Sequence, residues 1–206
     1  MMRILRTIGA ALGLALSFGS AAQARDWFDI RGVPPPEPDR IHICHGYTCR
    51  IATPVRFSGD DIKRIAGTLG EGAADAPAER AAIAEAVQAF EALVGARIGT
   101  ANDLAKMQFG QGAPDQMDCI DEATNTTALL TLLAHHGFLR HHTVMQPSAR
   151  GFFIDGRYPH ATAVLAETGS GEKWAIDSWP RANAEPPVVQ PLPEWKRARS
   201  SDALPS

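Results

Sequence analysis

The stretch Asp118-Cys119-Ile120-Asp121-Glu122-Ala123 opens an apolar run that continues to Leu133. Apolar residues recur in this run at three- and four-residue steps, which is typical of a helix with one buried face. We expect the helix to end at Gly137. Its predicted buried stripe consists of Ile120, Ala123, Thr127, Leu130 and Leu133. The pattern therefore places a single cysteine in the first turn of a core helix.

Two further residues downstream complete a set with known chemistry. His160 lies in the strand-like segment Pro-His-Ala-Thr-Ala-Val-Leu, and Asp177 lies in Trp-Ala-Ile-Asp-Ser-Trp. A thiol nucleophile needs a base to take its proton and a carboxylate to orient that base. A lone helical cysteine is more often a small buried hydrophobe, but the order cysteine helix, histidine strand, aspartate strand favours Cys119 as a nucleophile.

Two opposing effects act on the ionisation of Cys119. A helix N-terminus lowers the pKa of a cysteine, because its unpaired N–H groups and its dipole favour negative charge. Asp118 and Asp121 oppose this effect. We expect a neighbouring His160 imidazolium to outweigh them, so that the Cys119 thiolate persists well below the free-thiol pKa of about 8.5.

Hairpin geometry relates His160 to Asp177. The segment Thr168-Gly169-Ser170-Gly171 has the composition of a turn between two strands. A four-residue loop over 167–170 would set His160 opposite Asp177, with both side chains on one face of the sheet. A one-residue slip would put the two side chains on opposite faces.

The remaining patterns predict an α+β domain in which helices come first and an antiparallel sheet packs on the Cys119 helix. Ser58 begins a helix with a capping-box-like Ser-Gly-Asp-Asp that stops at Gly70. Asp75 and Pro77 open a longer helix that we expect to end at Gly95. Strands are expected over residues 41–43, 51–52, 143–145, 152–154, 160–166 and 173–179, with mostly loop over 95–118 apart from one helical turn near 103–107.

The two ends of the chain differ in composition from its middle. Two arginines and a short apolar segment ending in Ala-Gln-Ala are typical of a secretory signal peptide over residues 1–24, with an uncleaved anchor as the alternative. We expect an extended, proline-rich arm with a cysteine loop over 25–55, a catalytic domain over 56–184 and an irregular tail over 185–206. Removal of the signal would change the net charge from −3 to −5, and no basic patch indicates nucleic acid.

Cys44 and Cys49 flank a short loop. In an exported chain we expect them to form a disulfide, leaving Cys119 free. The alternative is a metal site of His42, Cys44, His45 and Cys49, although this spacing fits no strong zinc pattern. The histidine pairs at 135–136 and 141–142 could also bind a metal. We favour a simpler explanation, that a helix C-terminus and the turn after it favour cationic side chains. The Asn125 sequon lies inside a predicted helix, so we expect no glycan there.

The chain resembles the bacterial transglutaminase-like cysteine proteinases, of the transglutaminase-like (papain-like) superfamily, over roughly residues 80–180. The similarity lies in Asp118-Cys119 with its helix, in His160-Ala161 and in Ile176-Asp177. It implies that Cys119 is the nucleophile, His160 the base and Asp177 the orienting group. It also implies an exported, periplasmic or secreted thiol hydrolase that acts on a protein or peptide, with no cofactor.

The sequence departs from this family at Ile120, where the calcium-dependent adhesin-releasing members have an acidic residue. We therefore expect no calcium requirement. Gln116 and the Cys119 backbone N–H are the candidate oxyanion donors. Two alternatives stay open: a protein-glutamine transglutaminase or deamidase, and a non-catalytic secreted binding domain with the same fold.

Overall fold

The computed structural model describes residues 20–107, 112–151 and 159–198, with the backbone alone over 20–25. Helices and antiparallel strands occur in separate runs along the chain, so the fold class is α+β. The elements are α1 Ser20–Arg31, β1 Arg40–His45, β2 Ile51–Arg56, α2 Gly59–Ala66, α3 Thr68–Glu71, α4 Ala76–Ile98, α5 Cys119–His135, β3 His142–Arg150, β4 His160–Glu167, β5 Lys173–Asp177, β6 Val188–Pro191 and α6 Leu192–Arg197.

Helix α5 is the centre of the molecule. It packs against β1, β3, β4 and α1, and four leucines on different faces of it are completely buried: Leu129, Leu130, Leu132 and Leu133. The predicted single stripe therefore describes only part of a helix that is buried nearly all round. Threonines are tolerated in this core because their hydroxyls donate to carbonyls four residues earlier, as Thr127 does to Ala123 and Thr131 to Thr127.

Strands β3 to β6 form one antiparallel sheet in chain order. Ala166 pairs with Lys173, and the Glu167 N–H donates to the Glu172 carbonyl, so the hairpin loop spans 168–171. The predicted loop was displaced by one residue, which shifts the pairing by two, and Asp177 does not lie directly opposite His160. An even shift leaves both side chains on the same face. The predicted face was correct although the register was wrong.

Helices α2 and α4 begin where the sequence predicts, although Gly67 divides the first predicted helix into α2 and α3. Ser58 and Asp61 form a complete capping box on α2, and the Asp75 side chain caps α4 by accepting from Ala78 N–H. The predicted end of α4 at Gly95 is wrong. Gly95 lies inside the helix, where an added Cβ would be only 3.0 Å from Ala101 Cα, and Gly99 ends the helix at φ +86°.

Both chain ends of the described part are more ordered than expected. Residues 25–31 belong to α1 rather than to an extended arm, and Trp27 and Phe28 are buried there. The tail is not irregular, because β6 pairs with β5 and α6 follows it directly. The expected helical turn near 103–107 is absent from this described segment, and the expected strand over 152–154 lies outside the described residues. Within the described ranges, no helix is long and apolar enough to cross a membrane.

Candidate active site

Cys119 is the first residue of α5 and lies against the beginning of β4. Its thiol is directed at the Pro159 carbonyl, with the sulfur 3.8 Å from the oxygen, and its sulfur also accepts from the Ala161 N–H. His160 lies between these two contacts in the chain. Cys119 is the free cysteine of the chain and is only 6 % exposed. The packing of α5 on β4 thus brings the cysteine to the histidine strand.

His160 and Asp177 form a buried pair on neighbouring strands. The Nε2 atom of His160 lies 2.7 Å from Oδ2 of Asp177, and the two side chains are 3 % and 4 % exposed. The other ring nitrogen of His160, Nδ1, is buried and has no hydrogen-bond partner among the described residues. An unpartnered buried nitrogen is costly, so this atom is the natural place for a proton-transfer function.

Two tryptophan rings enclose the imidazole. The Trp179 ring centre is 4.5 Å from that of His160, and Trp179 also packs against Cys119. The Trp195 ring centre lies 5.3 Å from the imidazole, and its indole N–H donates to Asp177 Oδ2 at 2.7 Å. The site is therefore a closed cluster in which Trp179 covers Cys119 and His160, and Trp195 covers His160 and Asp177.

The electrostatics of Cys119 contradict the expected stable thiolate. Burial, with the charges of Asp118, Asp177 and Asp121, raises the pKa of Cys119 to about 12, and the Ala161 N–H offsets this only in part. The helix N-terminus gives little help, because the Asp118 carboxylate already accepts from the Ile120 and Asp121 N–H groups. The resting thiol is thus protonated.

The disulfide loop is docked onto the same helix end. Cys44 and Cys49 are bonded, as predicted. Three consecutive residues of the loop, Tyr47, Thr48 and Cys49, have positive φ. This conformation turns their N–H groups toward the helix: Tyr47 and Cys49 donate to Asp121 at 2.8 and 2.6 Å, and Thr48 donates to Asp118 at 3.1 Å.

A separate cluster of buried acids lies behind the cysteine helix. Asp103 and Glu122 hydrogen-bond to each other, and Ser178, whose hydroxyl lies 2.8 Å from that of Thr126, is adjacent to both Glu122 and Glu91. Burial, together with the neighbouring acids, raises the pKa of Glu91 to about 8 and that of Asp103 to about 7, and raises that of Glu122 well above its usual range. A carboxyl–carboxyl hydrogen bond needs a proton, so the cluster is partly protonated at neutral pH.

Gln116 is committed to holding the loop before Cys119. Its side-chain amide donates to the Asn102 and Asp115 carbonyls, and its side-chain oxygen accepts from the Leu104 N–H. These contacts leave no amide hydrogen for an oxyanion. Of the two oxyanion donors that the sequence suggests, the Cys119 backbone N–H remains.

Several of the histidines considered for metal binding have other partners. His45 contacts the Pro114 carbonyl and the Thr53 hydroxyl, and His142 lies between Glu79 and Arg80 in a buried network. Among described residues, a three-ligand group within 4.8 Å is formed by Cys44, Cys49 and Asp121, but the disulfide occupies both sulfurs.

The sequon asparagine is also part of the interior. The Asn125 amide is buried and makes two hydrogen bonds to the Cys44 backbone, at 2.7 and 2.8 Å. These contacts join the disulfide loop to the middle of α5. The side chain is therefore used structurally, in agreement with the expectation of no glycan.

Sequence reasoning missed Trp195 because it treated the proline-rich tail as irregular. The signal that could have found it is the pair Val188-Val189 followed by Leu-Pro-Glu-Trp-Lys-Arg, a short strand and a helical turn with a buried aromatic residue.

Comparisons with protein-family models, with curated proteins and with solved structures find no match for this chain. Function is therefore inferred from the site itself.

Proposed function

We propose that the protein is an exported thiol hydrolase, a cysteine peptidase-like enzyme in which Cys119 attacks a peptide or glutamine amide. The observation that carries this proposal is the buried His160–Asp177 pair beside Cys119, with His160 Nδ1 left unpartnered by the described residues. A buried imidazole oriented by a carboxylate on one nitrogen and open on the other has the arrangement of a general base.

The raised pKa of Cys119 favours base-assisted attack over a preformed ion pair. His160 Nδ1 takes the thiol proton as the sulfur bonds to the amide carbon, and the carbonyl electrons move to its oxygen. When these electrons return, the C–N bond breaks and the amine leaves with the proton from Nδ1. His160 then deprotonates a water molecule that attacks the thioester, and the sulfur leaves and regains a proton. Asp177 stabilises the imidazolium formed in each half-reaction.

The architecture supports the resemblance noted in the sequence. A cysteine begins the core helix, and His160 and Asp177 lie on adjacent strands of an antiparallel sheet packed against that helix. This is the arrangement that a transglutaminase-like core implies. The signal-like N-terminus and the Cys44–Cys49 disulfide support an exported location, since disulfides persist in oxidising compartments.

A non-catalytic binding domain is the second candidate, and the closure of the site favours it. Cys119 and His160 are 6 % and 4 % exposed, so a substrate reaches the sulfur only if the covering tryptophans move. A domain that had lost catalysis would keep such a closed cysteine as a small core residue.

Trapping of an acyl-enzyme tests the proposed function. The unreduced protein is incubated with an activated acyl ester and with glutamine-containing peptides, and intact mass is recorded after an acid quench. We expect one acyl group per chain on Cys119, absent in Cys119→Ser. Release of acid rather than incorporation of a primary amine would identify hydrolysis. A chain that gains no acyl mass from any of these compounds would favour the binding domain.

A further inference from the structure

We propose that Trp195, in the C-terminal helix α6, is a positioning residue that fixes the tautomer of His160. Its indole N–H binds the Asp177 oxygen that faces the histidine, and thereby keeps the imidazole proton on Nε2 and the lone pair on Nδ1. The inference rests on the proposed function in one respect, that Nδ1 is the atom which takes the thiol proton.

One carboxylate oxygen receives both contacts. Asp177 Oδ2 lies 2.7 Å from His160 Nε2 and 2.7 Å from Trp195 Nε1. The indole nitrogen can only donate, whereas an imidazole nitrogen can donate or accept. Trp195 thus identifies Oδ2 as an acceptor, whereas the role of His160 Nε2 has to be inferred from its surroundings.

The alternative tautomer requires a proton on Asp177 Oδ2, donated to an unprotonated Nε2. A hydroxyl oxygen of a carboxylic acid is a poorer acceptor than a carboxylate oxygen, so the Trp195 hydrogen bond would weaken in that arrangement. Hydrogen bonds to a charged acceptor are the stronger ones. The indole therefore favours an unprotonated Oδ2, and Nε2–H is the form of His160 that can donate to it.

The tail holds Trp195 in place independently of the cysteine helix. Strand β6 pairs with β5 so that Val188 lies opposite Asp177, and α6 begins directly after this strand. Trp195 is completely buried, and the Arg150 guanidinium lies over its ring at 4.7 Å. This pairing brings the tail back to Asp177, the last residue of β5. It therefore places the Trp195 indole N–H within hydrogen-bond distance of the Asp177 carboxylate.

Histidine-selective nitrogen NMR on the full unreduced chain tests the proposal. Trp195→Phe keeps a ring and removes the N–H; Trp174→Phe is the matched control, because the Trp174 indole N–H has no hydrogen-bond partner in the described part of the chain. In the wild type we expect His160 as the Nε2–H tautomer. In Trp195→Phe we expect the ratio of the two tautomers to shift by roughly tenfold toward Nδ1–H, the effect of losing one hydrogen bond to a charged acceptor. An unchanged tautomer ratio in folded Trp195→Phe would overturn the proposal.

A second measurement applies if Trp195→Phe does not fold. Asp177→Ala removes the acceptor, and we expect the Trp195 indole N–H resonance to move upfield while that of Trp174 stays in place. A Trp195 resonance that does not move would equally contradict the proposal. Neither readout needs turnover, so the two proposals can fail separately. If the protein forms no acyl-enzyme but Trp195→Phe shifts the tautomer ratio, the hydrolase proposal is wrong and the role of Trp195 in fixing the tautomer stands.

Discussion

At the scale of single residues, the state of Cys119 follows from a competition between a helix end and its own cap. An open helix N-terminus would stabilise a thiolate. Here Asp118 occupies the N–H groups of Ile120 and Asp121, and its charge adds to that of Asp121 and Asp177. The result is a neutral thiol at the start of the histidine strand, so the proposed attack on a substrate requires proton transfer to His160.

Asp118→Asn tests this balance directly. Asparagine caps helices as well as aspartate does, so the helix remains while one negative charge is removed. We expect the pKa of Cys119 to fall from about 12 by roughly one unit, followed through the ultraviolet absorbance of the thiolate relative to Cys119→Ser. Asp115→Asn in the preceding loop serves as the control and should leave the titration unchanged. A wild-type thiolate already formed at neutral pH would contradict the account.

The sequence indicated which residues come together better than it indicated their surroundings. Cys119, His160 and Asp177 could be selected because each residue type has a defined role and a recognisable local segment. The raised pKa of Cys119 could not be predicted with the same security, since it depends on burial and on which N–H groups Asp118 occupies. Trp195 donates a hydrogen bond to Asp177, which lies 18 positions earlier in the chain. No local sequence pattern indicates such a contact.

At the scale of elements, turn chemistry set the face of the sheet but not its register. The segment over 168–171 was identified correctly as turn-forming, but the predicted loop over 167–170 began one residue too early. A displaced loop of unchanged length moves the pairing by two residues, so His160 and Asp177 kept a common face. A shift of two residues leaves each side chain on its original face, so the predicted proximity of His160 and Asp177 is correct despite the wrong register.

Gly95 and Gly99 explain the error at the end of α4. A glycine near the end of an apolar pattern is typical of a helix stop, but Gly95 is needed for a close approach of the Ala101 backbone. We expect Gly95→Ala to lower the free energy of unfolding by about 1–3 kcal/mol through overpacking, measured by urea denaturation.

Gly59→Ala is the matched control for the predicted destabilisation by Gly95→Ala. Gly59 starts α2 at an ordinary φ, and no atom of the described residues lies within 4 Å of the position that an added Cβ would take. The substitution should be neutral, or stabilising by up to about 1 kcal/mol. Equal effects of the two substitutions would mean that Gly95 is an ordinary helical glycine rather than a packing position.

At the scale of the whole molecule, the buried acids make stability depend on pH in an unusual direction. The pKa values of Glu91 and Asp103 are raised to about 8 and about 7, from ordinary values of 4.5 and 3.8. Between these limits the folded chain holds protons that the unfolded chain has released. The free energy of unfolding therefore falls as pH rises through this window.

We expect the melting temperature to decrease from about pH 5 to about pH 8, with a slope of up to about 1.4 kcal/mol in unfolding free energy per pH unit for each retained proton. The lowered pKa values of His42 and His135 act in the opposite sense below their ordinary value of 6.5, and those of Glu79 and Glu167 do so only as pH falls below 4.5. Glu91→Gln should flatten the profile. Stability that rises between pH 5 and 8 would show that the acids are not held protonated.

The central claim is that His160 activates Cys119, and native alkylation measures it most directly. Cys119 is the free cysteine of the unreduced chain, so iodoacetamide labelling followed by intact mass reports on it alone. We predict that the wild type is labelled at neutral pH and that His160→Ala slows labelling by about a hundredfold, within the range of general-base effects. His136→Ala, an exposed histidine bonded to the Pro38 carbonyl, should not alter the rate. Equal labelling rates in the wild type and in folded His160→Ala would contradict the account.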